Sequence, residues 1–274
     1  MSCGAPRTIE VDGLRLRLHE WAGGGERPTL LLHSIASHGH WWDWSAPHFA
    51  ARGPVAALDF RGHGGSDWSP IGAYPFMEWV GDALAALDAL GWRAPLVIGH
   101  SLGGYVAGLL AARHPMRVGA LVIADMLTGW TDDMAARGQR QAERPAATFA
   151  SAAAAAAGFR LAPPETRAAA DVLAHLAEAG VVERRPGQWQ WAFDRRVFLH
   201  PPIDPWPFLG GVLCPTLVVR GQGSPLMDRD QMLRAATAVR QGQFAELKNA
   251  FHHLILDDPA GFAALVTSWA PARA

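Results

Sequence analysis

Three features of the sequence predict an α/β fold with a doubly wound, mostly parallel sheet. Short apolar runs bounded by Gly, Pro or Asp recur along the chain, segments with helical spacing separate them, and one strand-to-helix junction carries Gly99-His100-Ser101-Leu102-Gly103. Strands buried on both faces read as unbroken apolar runs, and their alternation with helices is the signature of a parallel sheet.

The elements follow in order. Thr8–Glu10 and Leu14–His19 alternate about Asp12-Gly13, a pair suited to a tight hairpin turn. Thr29–His33 is the first buried strand, and Val55–Asp59, Pro95–Ile98, Ala120–Ala124 and Thr216–Val219 repeat its pattern. Helical spacing covers Phe76–Leu90, Leu102–His114 and Gln231–Val239. The stretch 126–207 breaks this rhythm with the alanine run Ala152–Ala157, a predicted helix over Glu165–Ala179 and Pro- and Trp-rich connections. Alanine favours helix, and a structureless loop of roughly 80 residues would be exceptional in a compact domain. The expected organisation is therefore a core formed by 1–125 and 208–274, with 126–207 inserted as a helical lid. A surface excursion with no part in the site is the competing reading.

Composition narrows the function classes. With 274 residues, half of them hydrophobic and 18% charged, the chain is long enough to bury a sizeable core. A formal net charge of −1 and no basic stripe argue against nucleic acid as a partner. Two cysteines, Cys3 and Cys214, support neither a disulfide framework nor a metal site. No signal-peptide pattern and no apolar run of spanning length occurs, so no membrane is expected and the default location is cytoplasmic. Oligomeric state leaves no trace in the sequence.

The Gly99–Gly103 motif is G-x-S-x-G, placed after the strand Pro95–Ile98 and opening the helix at Leu102. A serine on so sharp a turn occupies a strained backbone, and glycines two positions either side relieve the crowding. The helix N-terminus turns its free N–H groups toward the reacting centre. Ser101 is the expected nucleophile and the Leu102 N–H an expected oxyanion donor. A glycine-rich turn with an incidental serine is the alternative.

In these residues the chain resembles the α/β-hydrolase superfamily. Leu31-Leu32-His33-Ser34-Ile35 looks like that family's apolar strand and following oxyanion loop. Asp59-Phe60-Arg61-Gly62-His63-Gly64-Gly65-Ser66-Asp67 resembles its D-x-R-G-x-G-x-S-D loop, and Ala250–Pro259 its histidine loop, with the base seven positions before a proline. The resemblance implies Ile35 as the second oxyanion donor and favours His252 over the adjacent His253 as general base; the other reading of His253 is a packing or hydrogen-bonded loop residue. Ser34 and Phe251 stand where the family usually has glycine.

The acid is the departure. The position the family usually gives it, in the turn after Thr216–Val219, is Ser224 here. A serine hydroxyl orients an imidazole but does not stabilise imidazolium as a carboxylate does. Asp125, at the end of Ala120–Ala124, is the expected acid and Asp228 the alternative. Asp125 as a cap for the first helix of the insertion, a Ser–His dyad and an acid elsewhere also stay open.

Twelve tryptophans, several near the oxyanion loop or in the insertion, suggest an apolar pocket; Ser34, Trp41, Trp130, Leu226 and His253 are its expected lining. The implied activity is a serine hydrolase of carboxylesterase type acting on a small to medium, partly hydrophobic molecule through an acyl-enzyme, without cofactor. The ester could instead be a thioester, a lactone or a C–C bond. A binding protein with little turnover is a further alternative. No spacing typical of metal ligands is present.

Overall fold

A computed structural model of the chain describes residues 4–270. Cys3 lies outside the described residues, and Cys214 is unpaired. In chain order the elements begin with β1 (Arg7–Val11), β2 (Leu14–Trp21), β3 (Thr29–Leu32), α1 (Ala46–Phe49), β4 (Val55–Leu58) and α2 (Phe76–Leu90). Next come β5 (Leu96–His100), α3 (Leu102–Arg113), β6 (Ala120–Ala124), α4 (Asp132–Glu143), α5 (Ala152–Ala157) and α6 (Ala170–Ala179). The chain continues with β7 (Val181–Arg185), β8 (Gln188–Trp191), α7 (Trp206–Leu209) and β9 (Thr216–Gly221). It closes with α8 (Arg229–Ala238), β10 (Gly242–Leu247), α9 (Leu254–Asp257) and α10 (Pro259–Trp269).

Eight strands form one sheet in the order β1-β2-β4-β3-β5-β6-β9-β10. The β1–β2 and β2–β4 pairs are antiparallel and every later pair is parallel. The hairpin turn has Asp12 and Gly13 at φ 50° and 78°, the left-handed pair a two-residue hairpin requires. Because side chains alternate across a strand, the central strands feed two cores. Leu30, Leu32, Val97, Leu121, Ile123 and Val218 face one side with Trp79, Val106 and Leu110 from α2 and α3. Leu31, Ile98, Val122, Leu217 and Val219 face the other with Phe49, Phe262 and Val266 from α1 and α10. All eleven strand side chains are at most 2% exposed.

The insertion differs from expectation in two ways. It contains the antiparallel hairpin β7–β8 as well as helices, and α6 begins at Ala170, five residues later than predicted. Pro163 and Pro164 precede that start, and the Thr166 hydroxyl and Arg167 N–H are drawn out to the Asp257 carboxylate (2.6 Å each). The edge strand β10 has no counterpart among the expected elements. Among the described residues no helix is long and apolar enough to cross a membrane.

Close approach of α3 to the sheet fixes the geometry at the top of β5. A Cβ on Gly103 would lie 2.3 Å from the Leu32 carbonyl oxygen and 2.6 Å from that of His33; one on Gly99 would lie 2.1 Å from the Gly103 oxygen. Backbone cannot swing aside as a flexible side chain can. Gly103→Ala is therefore expected to lower unfolding free energy by about 1–3 kcal/mol, measured by urea denaturation. An unchanged midpoint would refute that packing.

Candidate active site

Ser101 sits between β5 and α3 at φ 54°, ψ −117°, a conformation L-residues rarely adopt. Its N–H donates to the Ala124 carbonyl (2.8 Å), and its own carbonyl accepts from Gly104 and Tyr105 (2.9 and 3.2 Å), so α3 winds directly out of this residue. The sheet register pairs His100 with Ala124 and Ala124 with Val219. The residues that follow these strand ends therefore emerge side by side.

Asp125 follows β6 at φ 49°, and its N–H donates to the Val219 carbonyl (2.7 Å). Its carboxylate is fully buried and accepts from three sides: Gly221 N–H at Oδ2 (2.8 Å), Ser224 hydroxyl at Oδ1 (2.6 Å) and His252 Nδ1 at Oδ1 (2.9 Å). The loop bearing His252 is tied down by its neighbours. His100 Nε2 donates to the His252 carbonyl (2.8 Å), Gly223 N–H to Ala250 (2.9 Å) and Phe251 N–H to Asp257 Oδ2 (2.7 Å).

Asp125 does not cap the first helix of the insertion; Thr131 does, accepting from Met134 N–H (3.2 Å). Asp228 is the N-cap of α8, accepting from Gln231 N–H (2.7 Å) in a reciprocal capping box, and its carboxylate is committed there. Ser224, at the position the family usually gives an acid, is a donor to the Asp125 carboxylate. No local signal links residues 99 positions apart; the β6–β9 register makes the contact.

Burial pushes the His252 imidazole down to about 3, aided by His253 beside it, so the ring is neutral at pH 7. Burial likewise pushes the Asp125 carboxyl up to about 7, while the Ser224 hydroxyl and Gly221 N–H pull toward the carboxylate.

The loop after β3 is equally constrained. His33 accepts from Phe60 N–H at Nε2 (3.1 Å) and therefore donates through Nδ1 to the Ser34 carbonyl (2.6 Å), which the Ser37 hydroxyl also reaches (2.7 Å). Ala36 follows at φ 54°. The buried Asp59 carboxylate accepts from Gly39 N–H (2.6 Å), Gly65 N–H (2.8 Å) and His19 Nε2 (3.1 Å). Burial opposes its ionisation, yet the His19 contact holds it well below the usual carboxylate range. Ile35 and Leu102 thus stand at the same end of the adjacent strands β3 and β5.

Of the expected pocket residues, Trp41 and His253 are in contact with each other. Trp41 packs against His100 and His253 (centroids 6.4 and 5.5 Å), and His253 Nε2 donates to the Pro163 carbonyl of the insertion (2.8 Å). Trp130 packs against His200 (4.8 Å), and half-buried Leu226 donates its N–H to Ser224 Oγ (3.1 Å). A cavity of about 870 Å³ lies within the insertion, between α5 and α6, walled by Ala153, Ala157, Leu161, Leu173 and Ala177. None of Ser34, Trp41, Trp130, Leu226 and His253 lines it. That cavity is a separate apolar space, present because α5 and α6 are rich in alanine and leave room between them.

A family model described as the alpha/beta hydrolase fold matches residues 28–259. The chain belongs to the α/β-hydrolase family. It is 36% identical over 111 residues, 40% of its length, to a serine hydrolase-like protein of Danio rerio. It is 36% identical over 115 residues, again 40% of its length, to the lipase LipV of Mycobacterium tuberculosis. These alignments span 34% and 41% of the two relatives, so the chain matches less than half of each. The solved structure of E-2-(acetamidomethylene)succinate hydrolase superposes with TM-score 0.82 at 22% identity, covering 97% of this chain and 98% of that one. At that identity the likeness concerns the fold.

Ser224→Ala removes a hydroxyl donor that favours the Asp125 carboxylate, so the carboxyl group should rise further. The proton that disables the Asp125–His252 pair is then taken up at higher pH. The acid limb of kcat/KM for an aryl ester is expected to move upward, with activity at pH 6 falling more than at pH 8. An unmoved limb would mean that the hydroxyl does not tune the pair.

Proposed function

We propose that this α/β-hydrolase family member is a serine hydrolase that cleaves a carboxylic ester, or a related acyl bond, of a small to medium and partly hydrophobic substrate. The reading rests on the 2.9 Å contact between His252 Nδ1 and Asp125 Oδ1 beside a serine held on a left-handed turn. With Nδ1 turned to the carboxylate, the Nε2 lone pair is the site for the Ser101 proton. Ser101 Oγ attacks the substrate carbonyl while His252 Nε2 takes its proton, and the Leu102 and Ile35 N–H groups receive the developing oxyanion. Imidazolium then protonates the leaving alkoxide, leaving an acyl-Ser101. His252 next removes a proton from water, hydroxide adds to the acyl carbon, and Ser101 departs with that proton. Asp125 stabilises the imidazolium of each step; its low-dielectric surroundings strengthen that attraction.

Residues 126–207 serve as a lid over this site. Their backbone reaches the core loops through Gly64 N–H to Ala192 (2.6 Å) and Asp194 N–H to Gly62 (2.8 Å), and Pro163 holds His253. Ser101 is only 8% exposed and His252 2%; movement of the lid admits substrate.

The deciding experiment is fluorophosphonate labelling together with hydrolysis of a short-chain aryl ester and its thioester. Labelling should vanish in Ser101→Ala. His252→Ala and Asp125→Asn should lower kcat on the order of 10⁴-fold, with Asp228→Asn close to wild type. A folded wild-type protein that neither labels nor hydrolyses would sink the proposal, and faster thioester turnover would shift the substrate class.

A further inference from the structure

Three buried histidines converge beside Ser101, and the reaction uses one of them. One ring nitrogen each of His100, His252 and His253 lies within 4.8 Å of the other two. Hydrogen bonds assign the ring protons. His100 Nε2 donates to the His252 carbonyl, His253 Nε2 to the Pro163 carbonyl, and His252 Nδ1 to Asp125 (2.8, 2.8 and 2.9 Å). The unprotonated nitrogens are thus His100 Nδ1, His253 Nδ1 and His252 Nε2. His100 Nδ1 and His253 Nδ1 are buried with no hydrogen-bond partner, although their residues are 0% and 2% exposed. A buried nitrogen acceptor without a donor is costly, and these two belong to rings 6.3 Å apart between centroids, with the His252 ring 4.8 Å from one and 5.2 Å from the other.

We propose that His100 Nδ1, His253 Nδ1 and His252 Nε2 form a three-imidazole site for a divalent transition-metal ion, with Zn²⁺ the best fit, and that the ion inhibits the enzyme by occupying the lone pair of the general base. Zinc takes imidazole nitrogen at roughly 2.0–2.1 Å and accepts three protein ligands with one position left open. Each ligand is already held in the metal-binding tautomer by an oxygen acceptor on its other nitrogen: two backbone carbonyls and one carboxylate. That is the usual outer shell of a histidine-ligated zinc.

Sequence spacing gives no hint of the site. His100 comes from β5, and His252 and His253 from the loop after β10; the fold brings together residues 152 apart. A second group, His40, Asp43 and His175, is different in kind. Both of its histidines already contact Asp43 Oδ2 (2.9 and 2.8 Å), and it lies nearer the surface. It serves as the control.

The inhibitory half of the proposal rests on His252 being the general base; the binding half does not. Metal-free protein should bind one Zn²⁺ per chain by titration calorimetry, and Co²⁺ should give the visible absorption of a tetrahedral nitrogen-ligated ion. His100→Asn and His253→Asn, checked for folding by circular dichroism, should weaken binding at least about tenfold; His175→Asn should not. Zn²⁺ should slow ester hydrolysis reversibly, with each variant compared with its own metal-free rate, and chelator should restore it. Three results overturn the site: no binding by wild type in the millimolar range, wild-type affinity in both folded ligand variants, or loss of binding in His175→Asn. Stoichiometric binding without slowed hydrolysis overturns the inhibition alone. A wild type without esterase activity still tests the site through calorimetry and the Co²⁺ spectrum.

Discussion

The arrangement around Ser101 depends on one constraint: two ordinary L-residues at the ends of adjacent parallel strands are held at positive φ. Ser101 and Asp125 have φ 54° and 49°, conformations that cost on the order of 1–3 kcal/mol each where nothing compensates. The sheet compensates. Ser101 N–H extends the β5–β6 ladder to Ala124, and Asp125 N–H extends the β6–β9 ladder to Val219. A one-residue slip would turn every side chain of β6 to the opposite face, removing Asp125 from His252 and Val122 from its core together. Hydrophobic burial therefore holds the polar geometry in register.

Buried carboxylates do the fastening where the sheet ends and loops begin. Asp125 collects the loop after β9 through Gly221 and Ser224, and the loop after β10 through His252. Asp59 does the same below Ile35, collecting Gly39, Gly65 and His19. Asp82 holds Arg61 through bonds of 2.5–3.0 Å. Each is 0–1% exposed and each accepts several donors, the condition under which a buried charge is tolerated. The loop motif from Asp59 to Asp67 is thereby explained as scaffolding: its second aspartate pairs with Arg15 near the start of β2 (3.2 Å).

The central strands were readable from sequence because both faces are buried and their apolar runs stand out. Strand β10 lacks an apolar signature because it is an edge strand in which only Leu247 of Gly242–Leu247 is buried, with Phe244 52% exposed. The β7–β8 hairpin was hidden for a similar reason: Glu183, Arg184 and Arg185 face water, so no buried alternation marks it. At the site, a motif could nominate Ser101 because the elbow is local, and the family pattern could nominate His252. What Ser224 touches could not be read, since its partner belongs to another strand. The pairing of His100 with the His252 backbone is likewise a product of folding.

The chain stays with the core for three residues beyond Asp125 before it enters the insertion. Met126 is 0% exposed, packed in the core against Gly104 of α3, and Thr128 is still 3% exposed. The first residue after Asp125 to stand exposed is Gly129. Met126 to Thr128 therefore continue the packing that holds Asp125, and exposed backbone begins only at Gly129. The packing that fixes the Asp125 carboxylate thus extends three residues along the chain toward the insertion.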